Sequence, residues 1–415
     1  MATHDADPRN VDSDDVEKSS RAPSSSRPLI DSARNEWQSH SHSHIAHPPS
    51  SNDAHNTPQG MQMIQSLASA PRFRRYVIIY PAILFLGLLG WWIAVTPRLQ
   101  EQRSLLFSLD PASKDKFGGW FGTNSPPRFD YLIQIRNLDQ ALVPLALPEG
   151  DKDQSQRRRR LIVIGDVHGC KDELLQLLKK VSFAPADGDH LIFAGDLISK
   201  GPDSPGVVDL ARKHSASCVR GNHEDRSLLL RHQLVASNTL DKEDADDGSF
   251  TAKEQRERAL ARSLNEEQAR WLETCPVILD VGSIPGMGHV VVAHAGLVPG
   301  VELEKQDPAT VMNMRVIDLD THVPSWDGKG VKWVKIFNKH QSLIASKNKA
   351  SSDNVSQTMT VIYGHDADSS LSIRPYTKGL DSGCVKGGKL TAMIIEDGGK
   401  QNIVQVKCRD YRKEK

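Results

Sequence analysis

The sequence predicts an α/β domain carried behind one membrane-spanning helix and a polar amino-terminal tail. Short apolar runs end repeatedly in polar clusters: Leu161-Ile162-Val163-Ile164 before Gly165-Asp166-Val167-His168-Gly169, Leu191-Ile192-Phe193-Ala194 before Gly195-Asp196, and Cys218-Val219 before Arg220-Gly221-Asn222-His223-Glu224. Helical patterns separate these runs, so they read as buried strands rather than half-exposed ones. Upstream, residues 76–95 are apolar and without charge, about the length that crosses a bilayer core.

Taken in order, the 415 residues are 25% charged and 38% hydrophobic, enough for two domains by length alone. Residues 1–71 are Ser, Pro, Asp, Asn and His with scarcely an apolar side chain to bury, which predicts a disordered tail. His40, His42, His44 and His47 there read as a solvated low-complexity tract rather than a metal site. Residues 72–98 read as a signal anchor, too far from Met1 for a cleaved signal peptide. Pro81 and two glycines are tolerable in such a helix, and Tyr76, Tyr80, Trp91 and Trp92 include interface anchors near both ends. Arg72, Arg74 and Arg75 precede it, whereas Arg98 and Arg103 follow, offset by Glu101. That bias predicts a single-pass protein with a cytosolic amino terminus and a lumenal or extracellular remainder. Residues 99–158 read as a lumenal stem, with Trp120, Phe121, Tyr131 and residues 142–147 packing against the domain. The four arginines at 157–160 read as a solvated linker, with a processing site or an anion contact as alternatives.

Residues 159–410 form the domain. Asp172 followed by Leu174, Leu175, Leu177 and Leu178 reads as a capped amphipathic helix, and residues 205–213 as the next, with Val207, Val208 and Leu210 toward the sheet. Residues 241–270 are dense in both charges and read as a solvated helical insertion that contributes surface, not chemistry. Val290-Val291-Val292-Ala293 then delivers His294, and Thr360-Val361-Ile362-Tyr363-Gly364 delivers His365. Open α/β sheets place their chemistry just beyond the carboxyl ends of the strands. Carboxylate, imidazole and amide donors converging there suit zinc, manganese or iron better than calcium. Glycines flank each cluster because the chain turns sharply off a strand and lets backbone approach a metal or an anion.

Five cysteines, Cys170, Cys218, Cys275, Cys384 and Cys408, show no C-x-x-C spacing for zinc. A lumenal location would permit disulfides, but the sequence cannot pair them. Asn354-Val355-Ser356 is an acceptable glycosylation triplet. The formal net charge of +0 gives no sign of nucleic-acid binding.

Gly165-Asp166-Val167-His168-Gly169, Gly195-Asp196, Gly221-Asn222-His223-Glu224, His294-Ala295-Gly296 and Gly364-His365 resemble, in spacing and order, the five blocks of the calcineurin-like metallophosphoesterases. The resemblance covers roughly residues 160–408 and implies a sandwich of central β-sheets flanked by helices. It implies two divalent metal ions, of zinc, manganese, cobalt or iron. Asp166 and His168 would hold the first, Asp196 would bridge, and Asn222, His294 and His365 would hold the second. The chemistry implied is attack on phosphorus by a metal-activated water. His223 directly follows a ligand and is the candidate general acid, the alternative being a histidine bonded to its own loop. Lys200, Arg220 and Arg315 are candidates to clamp phosphate oxygens.

Departures from the wider family narrow the reading. Ser199 and Lys200 stand where protein Ser/Thr phosphatases of this type carry an acid and an arginine, which leaves His223 without its usual carboxylate partner; Asp203 is a candidate substitute. The same loop, with Gly379-Leu380-Asp381-Ser382-Gly383-Cys384 and Gly387-Gly388-Lys389-Leu390, resembles the ApaH-like branch, which acts on phosphoanhydrides. Ala367 stands where other branches place a second histidine, in keeping with His365 as the ligand of that block. Anchor and catalytic domain together resemble the fungal vacuolar zinc-dependent endopolyphosphatases, which implies inorganic polyphosphate as the polyanionic substrate and the vacuole as the location. A dinucleoside polyphosphate hydrolase, a membrane-tethered phosphoprotein phosphatase and a non-catalytic scaffold stay as alternatives. Lys329, Lys332, Lys335, Lys339, Lys347 and Lys349 lie in one stretch without an acidic residue among them, and read either as a solvated helix face or as a basic track for a long polyanion.

Overall fold

Side-chain alternation along the strands sorts this chain into layers. The computed structural model describes residues 69–109, 131–144, 159–242, 250–327, 329–350 and 357–414. Most of the amino-terminal tail with its histidines, Trp120, Phe121, Arg157, Arg158 and the glycosylation triplet lie outside them. The chain parts into two compact units, Met1–Phe85 and Leu86–Lys415, and both central sheets lie in the second. Helix α1 (Pro71–Ala94) is long and apolar enough to cross a membrane, with Pro81 inside it and its large apolar side chains exposed.

One sheet has six strands in the order β1 (Ile135–Asn137), β5 (Ile278–Ile284), β6 (Gly288–Ala293), β10 (Met359–Tyr363), β12 (Thr377–Gly379), β11 (Ser372–Ile373). The other has five, in the order β14 (Gln401–Lys407), β13 (Lys389–Glu396), β2 (Arg160–Ile164), β3 (Asp189–Phe193), β4 (Ser217–Cys218). A small third sheet joins β8 (Pro324–Ser325), β7 (Val316–Ile317) and β9 (Val331–Lys332).

Leu161, Val163, Ile192 and Ala194 from the five-stranded sheet share one buried core with Val290, Val292 and Ile362 from the six-stranded sheet. The intervening residues face outward. Ile162, Ile164, Leu191 and Phe193 pack with α3 (Lys171–Lys180) and α4 (Ser204–Lys213), while Val291, Ala293, Val361 and Tyr363 pack with α9 (Trp333–Ala350) through Trp333, Ile336 and Phe337. This helix–sheet–sheet–helix layering is the sandwich expected, and period-two alternation between two buried faces is why the strands read as unbroken apolar runs.

Parallel register levels the strand ends. Ile164 sits opposite Phe193 in β2 and β3, and Val292 opposite Ile362 in β6 and β10, so the loops after these strands open on common edges.

Several expectations change. The expected stem contributes to the domain: β1 pairs with β5, Ile135 opposite Ile278, and Leu138 and Val143 are buried. Leu105 of α2 (Thr96–Ser108) is buried in the outer core as well. Arg159 donates to the Val143 carbonyl at 3.1 Å, and Arg160 donates to Asp189 at 2.6 Å, so this end of the arginine run is structural. Asp172 lies in the first turn of α3, whose N-cap is Cys170, rather than capping it. The charged insertion is packed: α6 (Ala252–Ser263) and α7 (Glu266–Glu273) bury Ala261, Ala269 and Leu272. Arg231 of α5 (Asn222–Ala236) reaches in to donate to the carbonyls of Ala261 at 2.9 Å and Leu264 at 2.7 Å. The lysine track is not continuous either. Lys332 lies in β9, ion-paired with Asp366 at 3.5 Å, and Lys335 is paired with Glu101 at 2.6 Å.

Two disulfides form, Cys218–Cys275 and Cys384–Cys408, and Cys170 is buried and free.

Candidate metal and phosphate site

Each polar cluster leaves its strand by a sharp turn. His168, Asp196 and His365 take positive φ values of 50°, 51° and 67°, in the left-handed region that costs a side-chain-bearing residue energy. Two glycines allow the loops to close together. A Cβ on Gly221 would lie 2.3 Å from an Asp196 carboxylate oxygen, and one on Gly364 would lie 2.1 Å from Asp166. The close approach anticipated at these glycines is therefore to the ligand carboxylates themselves.

Asp196 sits at the centre. Its Oδ1 lies 3.3 Å from His294 Nε2 and its Oδ2 lies 3.6 Å from His168 Nε2 and 3.9 Å from His223 Nε2. Asn222 Oδ1 lies 3.1 Å from His294 Nε2, and His365 Nδ1 lies 3.2 Å from the same nitrogen. On the other flank, Asp166 Oδ2 lies 3.8 Å from His168 Nε2 and accepts the His365 backbone amide at 3.2 Å. Asp166, His168, Asp196 and His294 are all buried.

The imidazoles are oriented from behind. His168 Nδ1 faces the Ile198 carbonyl at 3.2 Å, His294 Nδ1 the Ala194 carbonyl at 2.9 Å, and His365 Nε2 the Asn313 carbonyl at 3.1 Å. A ring N–H donated to a carbonyl fixes the tautomer and aims the other nitrogen's lone pair into the site, as metal-binding histidines require.

Electrostatics point the same way. Burial, reinforced by Asp381 and Asp196, pushes the Asp166 carboxyl well above its ordinary range; burial raises Asp381 too, and the two carboxyls share a hydrogen bond. Burial and the Asp196 charge push Glu224 up to about 7. His294 is held up at about 10, because Asp196 outweighs the burial that would discharge it. Asp196 goes well below its ordinary value, since His294 and His223 outweigh burial there. Burial lowers His168 and His365 to about 3. Burial and crowding thus favour the protonated forms of Asp166 and Asp381 beside the Asp196 carboxylate and the His294 cation, and divalent cations would take the place of those protons.

The comparisons with known proteins fit this geometry. The family model for calcineurin-like phosphoesterases matches residues 159–369. The chain belongs to that family. It is 28% identical over 278 residues to the zinc-dependent endopolyphosphatase of Saccharomyces cerevisiae, covering 60% of this chain and 81% of that protein. It is also 28% identical over 286 residues to the symmetrical bis(5′-nucleosyl)-tetraphosphatase of Vibrio parahaemolyticus, covering 57% of this chain and 95% of that one. A crystal structure of a putative diadenosine tetraphosphatase is similar at 30% identity with a TM-score of 0.46, over 64% of this chain and 98% of that chain. As a calcineurin-like phosphoesterase the chain is a metal-dependent phosphohydrolase.

The expected residues of this phosphoesterase divide into two sets. Asp166, His168, Asp196, Asn222, His223 and His365 line one cavity together with Lys200 and Arg315, and His294 is buried behind that lining, 3.3 Å from Asp196. The ligand atoms of His168, Asp196 and His223, and those of Asp196, His294 and His365, form two tight groups that share Asp196. That donor set fits divalent cations in type, burial and orientation. Lys200 Nζ lies 2.8 Å from His168 Nε2, and the Arg315 guanidinium reaches the His365 carbonyl at 3.3 Å and Asp368 at 3.5 Å.

Arg220 does not join them. It is 1% exposed, with its guanidinium committed to the Glu273 carbonyl at 3.0 Å and to Asp225 at 3.4 Å, so it holds the fold rather than a phosphate. Asp203 does not substitute as the carboxylate partner of His223. It caps α4 through the Gly206 amide at 2.8 Å and pairs with Lys171 at 2.8 Å.

Three contributors went unread in the sequence. Asp381 sits in the cavity beside Asp166, inside a motif whose likeness to the ApaH-like branch was visible but whose role was not. Lys386 lines the cavity and pairs with Asp368 at 3.4 Å. Glu224 binds the loop amides from below, for which its place just after His223 was the available signal.

Proposed function

We propose that this phosphohydrolase cleaves phosphoanhydride bonds of inorganic polyphosphate. The observation that carries the reading is the trio of cations, Lys200, Arg315 and Lys386, lining the same cavity as the ligand set. Cations on several sides suit a substrate with charged phosphates on either side of the reacting one. The similarity to the yeast zinc-dependent endopolyphosphatase supports the same substrate. A dinucleoside tetraphosphate is the second reading, favoured by the similarity to the bis(5′-nucleosyl)-tetraphosphatases.

In this proposal Asp166, His168 and Asp196 would hold one cation and Asp196, Asn222, His294 and His365 a second, of zinc, manganese, cobalt or iron. When bound, such ions lower the pKa of a coordinated water toward about 7 and neutralise phosphoryl oxygens. To serve as a ligand His294 would have to give up its extra proton, since only a neutral imidazole offers a lone pair. Lys200 and Arg315 orient the phosphate by charge-assisted hydrogen bonds. His223 is half-exposed at the cavity wall and hands a proton to the departing oxygen. Burial, helped by the Lys200 charge and opposed by Asp196, lowers the His223 pKa to about 4, so it is weakly held in its charged form. That weakness matters less for a departing phosphate than for a departing alkoxide, and so favours anhydrides over phosphoproteins.

Residues 72–98 are proposed as a membrane anchor with the amino terminus cytosolic and the catalytic domain lumenal, in a vacuole. Two disulfides support an oxidising compartment. The test of substrate is to incubate the purified chain with long-chain polyphosphate, diadenosine tetraphosphate and a phosphopeptide under each metal, following product length by gel. Mid-length products from polyphosphate are expected; preference for the phosphopeptide overturns the reading. The test of topology is protease protection of terminal tags in sealed vesicles, with the carboxyl-terminal tag expected to survive.

A further inference from the structure

We propose that the groove between the Lys200 loop and α6 binds phosphates of a long polyphosphate chain beyond the one being cleaved. The inference rests on the polyphosphate reading and deepens it. Lys200 and His223 line both the catalytic cavity and this groove, so the two adjoin. Across from them the groove is lined by Lys253 and Arg256 of α6. Three positions apart, these side chains fall on one helical face, and both are exposed.

One acid of the same helix, Glu257, also lines the groove, and both acids of its first half are already engaged. Glu254 closes a capping box on the Thr251 amide at 2.8 Å, and Glu257 is ion-paired with Arg226 at 2.8 Å. Among the described residues no carboxylate is paired with Lys253 or Arg256. With Glu257 neutralised by Arg226, the two unpaired cations and Lys200 leave the groove net positive beside the reacting centre, which attracts an extended anion and holds it by charge rather than by shape.

The lining also selects between the two substrate classes. A dinucleoside polyphosphate brings a base, and bases are held most effectively by aromatic stacking. Among the described residues no Phe, Tyr or Trp lines this groove, and its apolar contribution is Ala259 and Leu260. An inorganic chain carries about one charge per phosphate and needs no such platform, so its length is read by the number of cations it passes.

The test uses the full chain and its Lys253→Gln, Arg256→Gln double variant, with long linear polyphosphate and tripolyphosphate as substrates. The ratio of kcat/KM for long chain over tripolyphosphate is expected to fall about ten-fold, and its decline with added salt to become shallower, because two screened contacts are removed. Lys253→Arg with Arg256→Lys should restore the ratio. An unchanged ratio, or equal loss on both substrates, overturns the groove. Retardation of labelled long-chain polyphosphate by the unaltered chain separates the two levels of inference. If the unaltered chain neither retards nor cleaves polyphosphate, the substrate reading fails and the groove with it; if it does both and the variant matches it, the groove fails alone.

Discussion

Glu224 holds Asp196 in place through the backbone. The Glu224 Oε2 accepts the Asp196 amide at 2.8 Å and the Gly221 amide at 2.9 Å, while Oε1 accepts the Ile198 amide at 3.1 Å. One fully buried carboxylate therefore ties the loop after β3 to the loop after β4, the two that present the central ligand and Asn222. Glu224→Gln turns one acceptor into a donor that faces an amide N–H. A buried unmade hydrogen bond costs roughly 1–3 kcal/mol, so the urea midpoint should fall by a corresponding amount, with weaker metal retention. An unchanged midpoint would show that the loops are held by other means.

Asp196 and His223 should separate in their effects. Asp196→Ala removes the carboxylate shared by both donor groups, so metal content and turnover are both expected to be lost. His223→Ala is expected to leave metal content near normal while cutting kcat by about 10² to 10⁴, the usual worth of a general acid. Loss of metal from the His223 variant would make that histidine a ligand, as its grouping with His168 and Asp196 allows.

Asp166, His168, Asp196, Asn222, His294 and His365 were legible because each polar block follows its own buried strand, with Asp166 and His168 sharing β2, and parallel register brings strand ends level. What could not be read depends on pairing across distance. Arg220 borders the Asn222 block, yet its guanidinium turns to Asp225 and to a carbonyl on another helix, which no local pattern encodes. Residues 131–144 read as a stem packed against the domain rather than as part of a sheet because β1 is a short edge strand with partly exposed side chains. Lys332 and Lys335 looked free because their partners, Asp366 and Glu101, are remote in sequence.

The two arginines proposed for phosphate should behave differently. Arg315→Ala is expected to raise KM for the phosphate substrate several-fold, since its guanidinium lines the cavity and is half-exposed. Arg220→Ala should lower the denaturation midpoint, because it strands the Glu273 carbonyl and Asp225 beside an empty pocket. Should Arg220→Ala raise KM at normal stability, the structural role is wrong.

An acidic compartment would test His190. Burial lowers its pKa from 6.5, and Nε2 bonds Ser217 Oγ at 2.9 Å. With the folded value below the unfolded one, the unfolded chain binds more protons between them. This contribution to stability is complete above pH 6.5, is lost as pH falls toward the folded value, and is level below it. His190→Gln should therefore narrow the drop in urea midpoint between pH 7.5 and pH 5. An identical drop in both proteins would assign the pH dependence to other groups.

Disulfide state reports the compartment and the site at once. Cys384–Cys408 anchors the loop that carries Asp381 and Lys386, and Cys218–Cys275 braces the strand end just before Arg220 and Asn222. The bonds close loops with sequence separations of 24 and 57; constraints of that size stabilise by roughly 3–4 kcal/mol each in the chain-entropy picture. Protein taken from its native compartment and treated with a thiol blocker in denaturant should carry one modified cysteine, Cys170. Reduction first should expose all five cysteines in the sequence and lower the unfolding midpoint. Cys384→Ser with Cys408→Ser should additionally lower kcat/KM, because Gly383, Val385 and Lys386 line the cavity and lose their tether. Five blocked thiols without reduction would place the domain in a reducing compartment and count against lumenal topology. A normal kcat/KM in the double variant would show instead that the hydrogen bonds of the loop, among them Gly383 N–H to Asp381 at 3.0 Å, hold it without the bond.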